Sequence, residues 1–165
     1  MTRILEDPAL KTNKREREAR VRAVVSELFD FPEIAMRVLG RHWRPLSQTE
    51  RAGFIQLFRE FLEHIYIPKI SLYQGERVRF VGESVDGDFA AVQARVLTRR
   101  GQEADVIFRL HRPGERWLIY DVSVEGVSLV ANYRSQFDQV IQRSSYQGLV
   151  TRIKQKLALQ CASDC

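Results

Sequence analysis

Three histidines, His42, His64 and His111, are the first residues to test for chemistry, and each falls in a different stretch without an H-x-x-x-H or H-E-x-x-H partner. A zinc centre needs ligands that converge, which this spacing does not supply. Ser123 and Ser128 lack the G-x-S-x-G surroundings of a hydrolase nucleophile. Asp121 and Glu125 form the best carboxylate pair, yet on one strand they would stand about 13 Å apart, four steps of roughly 3.3 Å. Glycosidase chemistry needs its two acids closer. The glycines fall at turns and helix ends rather than in a phosphate cradle. Cys161 and Cys165 lie in the chain's closing residues, where they could pair or share a ligand if a helix continued, but no further Cys or His completes a metal set. A frayed tail is the expectation there. No catalytic residue, metal or cofactor is therefore expected, and the chain reads as a non-enzyme.

Charge adds a bias toward acidic partners, since the 165 residues carry a formal +5. Much of the excess sits in KTNKREREARVR, where Lys11, Lys14, Arg15, Arg17, Arg20 and Arg22 interleave with Glu16 and Glu18 as on a solvated helix face. Nucleic-acid stacking platforms place aromatics beside Lys and Arg on an exposed strand. Here Phe54, Phe58 and Phe61 instead share one helix stripe that should face inward, so no nucleic acid is expected. No apolar run reaches membrane-spanning length, and MTRILEDPAL lacks the apolar core of a secretory leader. Taken literally, that describes a cytoplasmic chain.

The elements that position these residues follow from periodicity. Val21, Val24, Val25, Leu28 and Phe29 make a helical stripe. The D-F-P-E run at Asp30 starts a second helix, with Asp30 placed to cap it and Pro32 in its first turn; it carries Ile34, Ala35, Val38 and Leu39 and stops at Gly40. Ser47 to Glu50, S-Q-T-E, is a capping box for a third helix that Pro68 is expected to end, with a short helical or turn segment through Leu72 and Tyr73 leading to Gly75. From Glu76 the period becomes two, and turns at Asp86-Gly87, Arg100-Gly101 and Pro113-Gly114 divide four strands of an antiparallel meander. The second and fourth strands are apolar on both faces, which requires either cover on both sides or a sheet curled round an apolar interior. Two more helices, about Leu129 to Arg143 and Tyr146 to Leu159, close the chain. The fold class is α+β: a four-stranded antiparallel meander with N- and C-terminal helices. One domain is expected over 1–165, helical in 1–73, sheet in 76–124 and helical again in 128–160.

One segment, YDVSVEGVSLVANYRSQF from Tyr120 to Phe137, runs from strand through a Glu125-Gly126 corner into a helix, and it closely resembles the signature of the MlaC, or toluene-tolerance, family. FDFPEIAMRVLGRHWR (Phe29 to Arg44), S-Q-T-E-R with the Phe54 to Tyr66 stripe, the VDGD turn at Val85 to Asp88 and the closing YQGLVTRIKQKL are similar to family positions in family order. The resemblance implies an NTF2-like cone, the curved antiparallel four-stranded meander packed with the N- and C-terminal helices around an apolar pocket, and a periplasmic phospholipid-binding protein with its leader removed, its cargo a phospholipid. It further implies shuttling between an outer-membrane lipoprotein–porin complex of the MlaA type and an inner-membrane MCE-domain ABC transporter, maintaining outer-membrane lipid asymmetry, with the chain a monomer. Carriage of another hydrophobe, such as a hopanoid, or an enzyme inside the same cone are the competing readings.

A carrier must enclose hydrocarbon, because a tail of 16 carbons is worth about 13 kcal/mol at ~0.8 kcal/mol per CH₂. It therefore needs apolar residues in surplus. The candidates for that wall are Phe31, Ile34, Val38, Phe54, Phe58, Phe61, Val96, Ile107, Tyr120, Val122, Val124, Leu129 and Tyr133. Gly126 gives the corner its freedom, so that the helix from Leu129 folds back along the pocket rim. Asn132 and Arg134 on that helix either tie it down or meet a phosphate.

Overall fold

The structure is a computed structural model, and it describes residues 13–71, 77–97 and 101–163. The expectations placed on MTRILEDPAL, Lys11, Leu72, Tyr73, Gly75, Arg100 and Cys165 lie outside the described residues, as does the side chain of Cys161. Among the described residues, five α-helices and five strands follow the order α1 (Lys14–Leu28), α2 (Phe31–Leu39), a 3₁₀ turn (Gly40–Trp43), α3 (Gln48–Ser71), β1 (Arg77–Asp86), β2 (Phe89–Leu97), β3 (Glu103–His111), β4 (Leu118–Val124), β5 (Val127–Ser128), α4 (Leu129–Arg143) and α5 (Tyr146–Ser163). The expected α+β class holds. The sheet has a fifth, two-residue strand that the meander reading lacked. The chain divides into two compact units, one of Met1–Asp30 with Tyr66–Leu129 and one of Phe31–Ile65 with Val130–Cys165.

In the first unit the strands lie in sequence order, β1-β2-β3-β4-β5, each antiparallel to the next. Asn13 caps α1 by accepting from the Glu16 amide, and Arg20 reaches back to Glu16 at 2.8 Å; Lys14, Arg15, Glu16, Arg20 and Arg22 are exposed as on a solvated face, whereas Arg17 and Glu18, read as part of it, are half-buried. Past α1 the chain joins the sheet: Phe29 bridges Ile119, the Asp30 amide donates to the Ile119 carbonyl, and the Asp30 carboxylate meets His111 at 2.9 Å. α3 corrects one expectation, because it runs through Pro68 to Ser71. A helical proline forfeits one backbone bond, but Ile67 and Ser71 are buried, and tertiary burial of that last turn outweighs the loss.

Helices make the second unit. Gly40, at φ +53°, ends α2 in the left-handed region as expected. The capping box forms in full: the Ser47 amide donates to the Glu50 carboxylate at 2.9 Å and the Glu50 amide to Ser47 Oγ at 3.2 Å. The Ser47 amide foremost, and the Ser47 hydroxyl, which also reaches the carboxylate at 3.0 Å, hold the Glu50 carboxyl below its ordinary range. Arg41 and His42 both reach Asp138 on α4 at 2.7 Å, and the His42 bond is the larger cause holding that carboxyl low.

Candidate functional site

Seven of the wall candidates fall in the helical unit: Phe31, Ile34 and Val38 on α2, Phe54, Phe58 and Phe61 on α3, and Tyr133 on α4. All are buried. Spacing of three or four residues puts the α3 phenylalanines on one face, and they meet an aromatic pair on α4 at the same spacing, Tyr133 and Phe137. Phe58 lies at the centre, its ring 5.7 Å from Phe54, 6.1 Å from Phe61 and 5.3 Å from both Tyr133 and Phe137. Edge-to-face pairs at such distances are favourable beyond the area they bury. These rings pack on one another as an aromatic core. A separate hollow of about 160 Å³, between Phe54 and Leu57 of α3 and Tyr146 and Val150 of α5, is smaller than the roughly 300–1,000 Å³ of ordinary ligand pockets. Tyr146 lines it, donating to the Glu50 carbonyl at 3.2 Å, and burial raises its hydroxyl above the usual tyrosine range.

The remaining candidates lie on the sheet and at its exit. Register sorts them. Val96 pairs through Ala104 of β3, and Val106 and Phe108 pair with Val124 and Val122, so Val96, Val122 and Val124 share one face with Ala90, Val92, Ala94 and Leu110. Ile107 lies on the other face, opposite Ser123. Tyr120 goes there too, because the pairing slips between Arg109 and Leu110, and the extra residue turns Tyr120 toward His111 and Phe89, with ring centroids at 5.6 Å and 6.3 Å. The same slip brings Ile119 opposite Leu110 onto the apolar face. Leu129 is half-buried where α4 begins.

These two faces differ in chemistry. One is apolar through every strand of the meander and carries only Glu83 as a charge, on the edge strand β1. Only Ala94 and Ile119 of that face are fully buried; Val92, Val96, Val106, Phe108, Leu110 and Val122 are half-buried, while Phe80 (71% exposed), Val85 (65%) and Val124 (47%) are open. The other face is tied by polar bonds. Buried Asp121 meets Arg109 Nη1 at 3.3 Å and accepts from Ser128 Oγ at 2.6 Å, and Arg109 also donates to buried Ser123 at 2.7 Å. The groups first tested for chemistry, Asp121, Ser123 and Ser128, are thus bonded to one another and to Arg109. Among the described residues no group of three or more His, Cys, Asp or Glu could hold a metal.

Sequence reasoning missed Val78, Phe80, Val85, Val92, Val106, Phe108 and Leu110 as members of the apolar face. Counting pairs outward from the Asp86-Gly87 hairpin recovers Val85, Val92, Phe108 and Leu110; Val78 and Phe80 are hidden because the pairing shifts again between Phe80 and Gly82.

The corner is a two-residue hairpin. Glu125 (φ +50°) and Gly126 (φ +78°) are both left-handed, so that Val127 pairs back onto Val124. Glycine was expected at such a place; a glutamate was not. Its amide donates to the Asp105 carbonyl at 2.9 Å while its carboxylate accepts from the Asp105 amide, and this reciprocal grip on β3 offsets the strain. Arg134 donates from Nε to the Arg37 carbonyl near the end of α2 at 2.7 Å, and Asn132 accepts from Gln136 at 3.1 Å.

An antiparallel meander with one continuous apolar face, preceded and followed in the chain by helices, defines the α+β class to which this fold belongs. The chain is a member of the MlaC protein family, whose model matches residues 1–155. It is similar to the intermembrane phospholipid transport system binding protein MlaC of Haemophilus influenzae, with 22% identity over 124 residues that make up 72% of this chain and 58% of that protein. The chain thus matches less than two thirds of that relative's length. The fold is similar to that of a phospholipid-binding protein from Ralstonia solanacearum solved in complex with a phospholipid, with TM-score 0.84 and 21% identity over 97% of this chain and 91% of that one.

Proposed function

We propose that this chain is a periplasmic phospholipid carrier that takes acyl tails against the apolar face of its sheet and leaves the headgroup in water. One observation carries the reading: that face keeps more nonpolar surface half-buried or open than the fold consumes, from Phe80 and Val85 at the edge to Val122 and Val124 on β4. An isolated apolar residue on a surface is ordinary; a continuous face is a binding surface. Of the candidate wall residues, Val96, Val122 and Val124 are in contact with cargo, and Leu129 lies at the exit from the sheet. Phe31, Ile34, Val38, Phe54, Phe58, Phe61 and Tyr133 hold the helical unit rigid, and Ile107 and Tyr120 back the sheet from its polar face. The H. influenzae relative, an intermembrane phospholipid transport binding protein, and the phospholipid-bound R. solanacearum structure both support this reading.

In this reading the chain shuttles between an outer-membrane lipoprotein–porin complex and an inner-membrane MCE-domain ABC transporter, and so maintains the lipid asymmetry of the outer membrane. No covalent step is involved: cargo moves by partition, each buried methylene contributing about 0.8 kcal/mol. Organic extraction of the purified chain, resolved by thin-layer chromatography and native mass spectrometry, tests the proposal. Two-tailed phospholipid is expected, and its yield should fall several-fold in Val122→Asp and Val124→Asp at unchanged secondary structure. A polycyclic lipid would assign another cargo. Full loading of both folded variants would remove the sheet face from the site.

A further inference from the structure

Strand β1 ends the sheet, and among the described residues no strand lies on its outer side. All ten of its residues, Arg77–Asp86, are exposed. An edge of that length presents unpaired N–H and C=O groups, which proteins ordinarily blunt or cover. Charge is ordered along it, with Arg77 and Arg79 at the start and Glu83 and Asp86 at the end. Turned end for end, the strand sets Arg77 against Asp86 at each end.

The irregularity in β1 sharpens the match. Because Val81 is an extra residue relative to β2, Val78 and Phe80 share the apolar face with Glu83 and Val85, while Arg77 and Arg79 share the other with Ser84 and Asp86. A two-fold axis between Val81 and Gly82 then opposes Arg77 to Asp86 and Val78 to Val85, with like faces on the same side. Both strands carry the same extra residue, so no residue is left unmatched across the axis. We propose that β1 pairs antiparallel with β1 of a second copy, continuing the sheet into a dimer in place of the monomer expected from the sequence. One strand pair is a small interface, so the dimer is weak and concentration-dependent.

Sedimentation velocity from micromolar to near-millimolar protein tests this, with reversible monomer–dimer exchange expected. Arg77→Asp sets two acids against each other at both ends of the ladder and should weaken association roughly tenfold. Asp86→Arg should do the same, and the combined Arg77→Asp/Asp86→Arg swap should restore the dimer. Both side chains are exposed, so folding is undisturbed, and amide hydrogen exchange in β1 gives a second readout that should slow as concentration rises. A single monomeric species throughout, a dimer indifferent to Arg77→Asp, or failure of the swap to restore pairing each overturns the proposal. So does a monomer whose Arg77 supports binding to anionic phospholipid vesicles, since the edge would then serve a membrane.

Discussion

Phe58 is where core and cargo can be separated by experiment. Its ring is 1% exposed and touches four others with centroids at 5.3 to 6.1 Å. In a closed core, Phe58→Ala loses the transfer free energy of the ring and leaves a cavity, together about 3–5 kcal/mol. Each lost ring pair adds to that figure on a scale of roughly 0.5–1.5 kcal/mol, though the pairs share one ring and do not sum. Against a total stability of about 5–15 kcal/mol the variant should be severely weakened, its midpoint falling by roughly 10 °C or more at ~2–4 °C per kcal/mol. Urea unfolding of delipidated protein, repeated on lipid-loaded protein, measures the cost in each state. The expected result is a large loss of similar size in both. A cost below about 1 kcal/mol in the delipidated protein, with the larger effect on lipid retention, would refute the reasoning, because truncating a side chain that lines a void creates little new cavity.

Arg134→Ala should cost about 1 kcal/mol by freeing the Arg37 carbonyl, with lipid yield per folded protein unchanged in the extraction assay; a selective loss of lipid would return this residue to the headgroup. Gly126→Ala should destabilise by about 1 kcal/mol in urea, since the residue holds φ +78°. Glu50 and Asp138 have carboxyls held below their ordinary range. Their folded forms bind a proton less readily than the unfolded chain, so their stabilising effect is present above the ordinary carboxylate pKa and is lost as pH falls through the lowered folded values. Thermal unfolding of Glu50→Gln and Asp138→Asn should therefore differ from the parent at neutral pH and converge on it in acid; a difference that grew on acidification would reverse the assignment.

Local signals in the sequence were sufficient for the elements because their causes are local. The Ser47–Glu50 box, the Gly40 stop and the Asp86-Gly87 turn each depend on bonds within a few residues; the first two appear where they were read, and the turn lies one residue on, at Gly87-Asp88 between paired Asp86 and Phe89. Pro68 misled because Ile67 and Ser71 are buried in the folded chain, and helix propensity carries no information on burial. The site was less legible for a related reason. Hydrophobic type reports that Val96, Ile107, Tyr120 and Val122 are suited to an interior, whereas their division between two faces depends on register. One extra residue at Tyr120 reverses the alternation downstream, and nothing in the composition of YDVSV marks where that residue is absorbed.

That reversal also explains why β4 reads as apolar on both sides. Without the slip, Ile119 would join Asp121 and Ser123 on the polar face and Tyr120 would join Val122, putting a hydroxyl among the valines and an isoleucine beside a buried carboxylate. The polar bonds of Arg109, Asp121, Ser123 and Ser128 lie on one side, and the slip sends Tyr120 there too, edge-on against His111. The other side is left free of polar groups across β2, β3 and β4. A surface that must accept hydrocarbon cannot tolerate a hydroxyl or carboxylate aimed at it, since an unpaired polar group moved from water into such surroundings costs several kcal/mol. The bulge is therefore the local device that makes a two-faced sequence into a one-faced sheet; deleting Tyr120 would leave Ile119 opposite Leu110 and Asp121 opposite Arg109, so that variant should still yield lipid on extraction, and an empty variant would refute this account of the face.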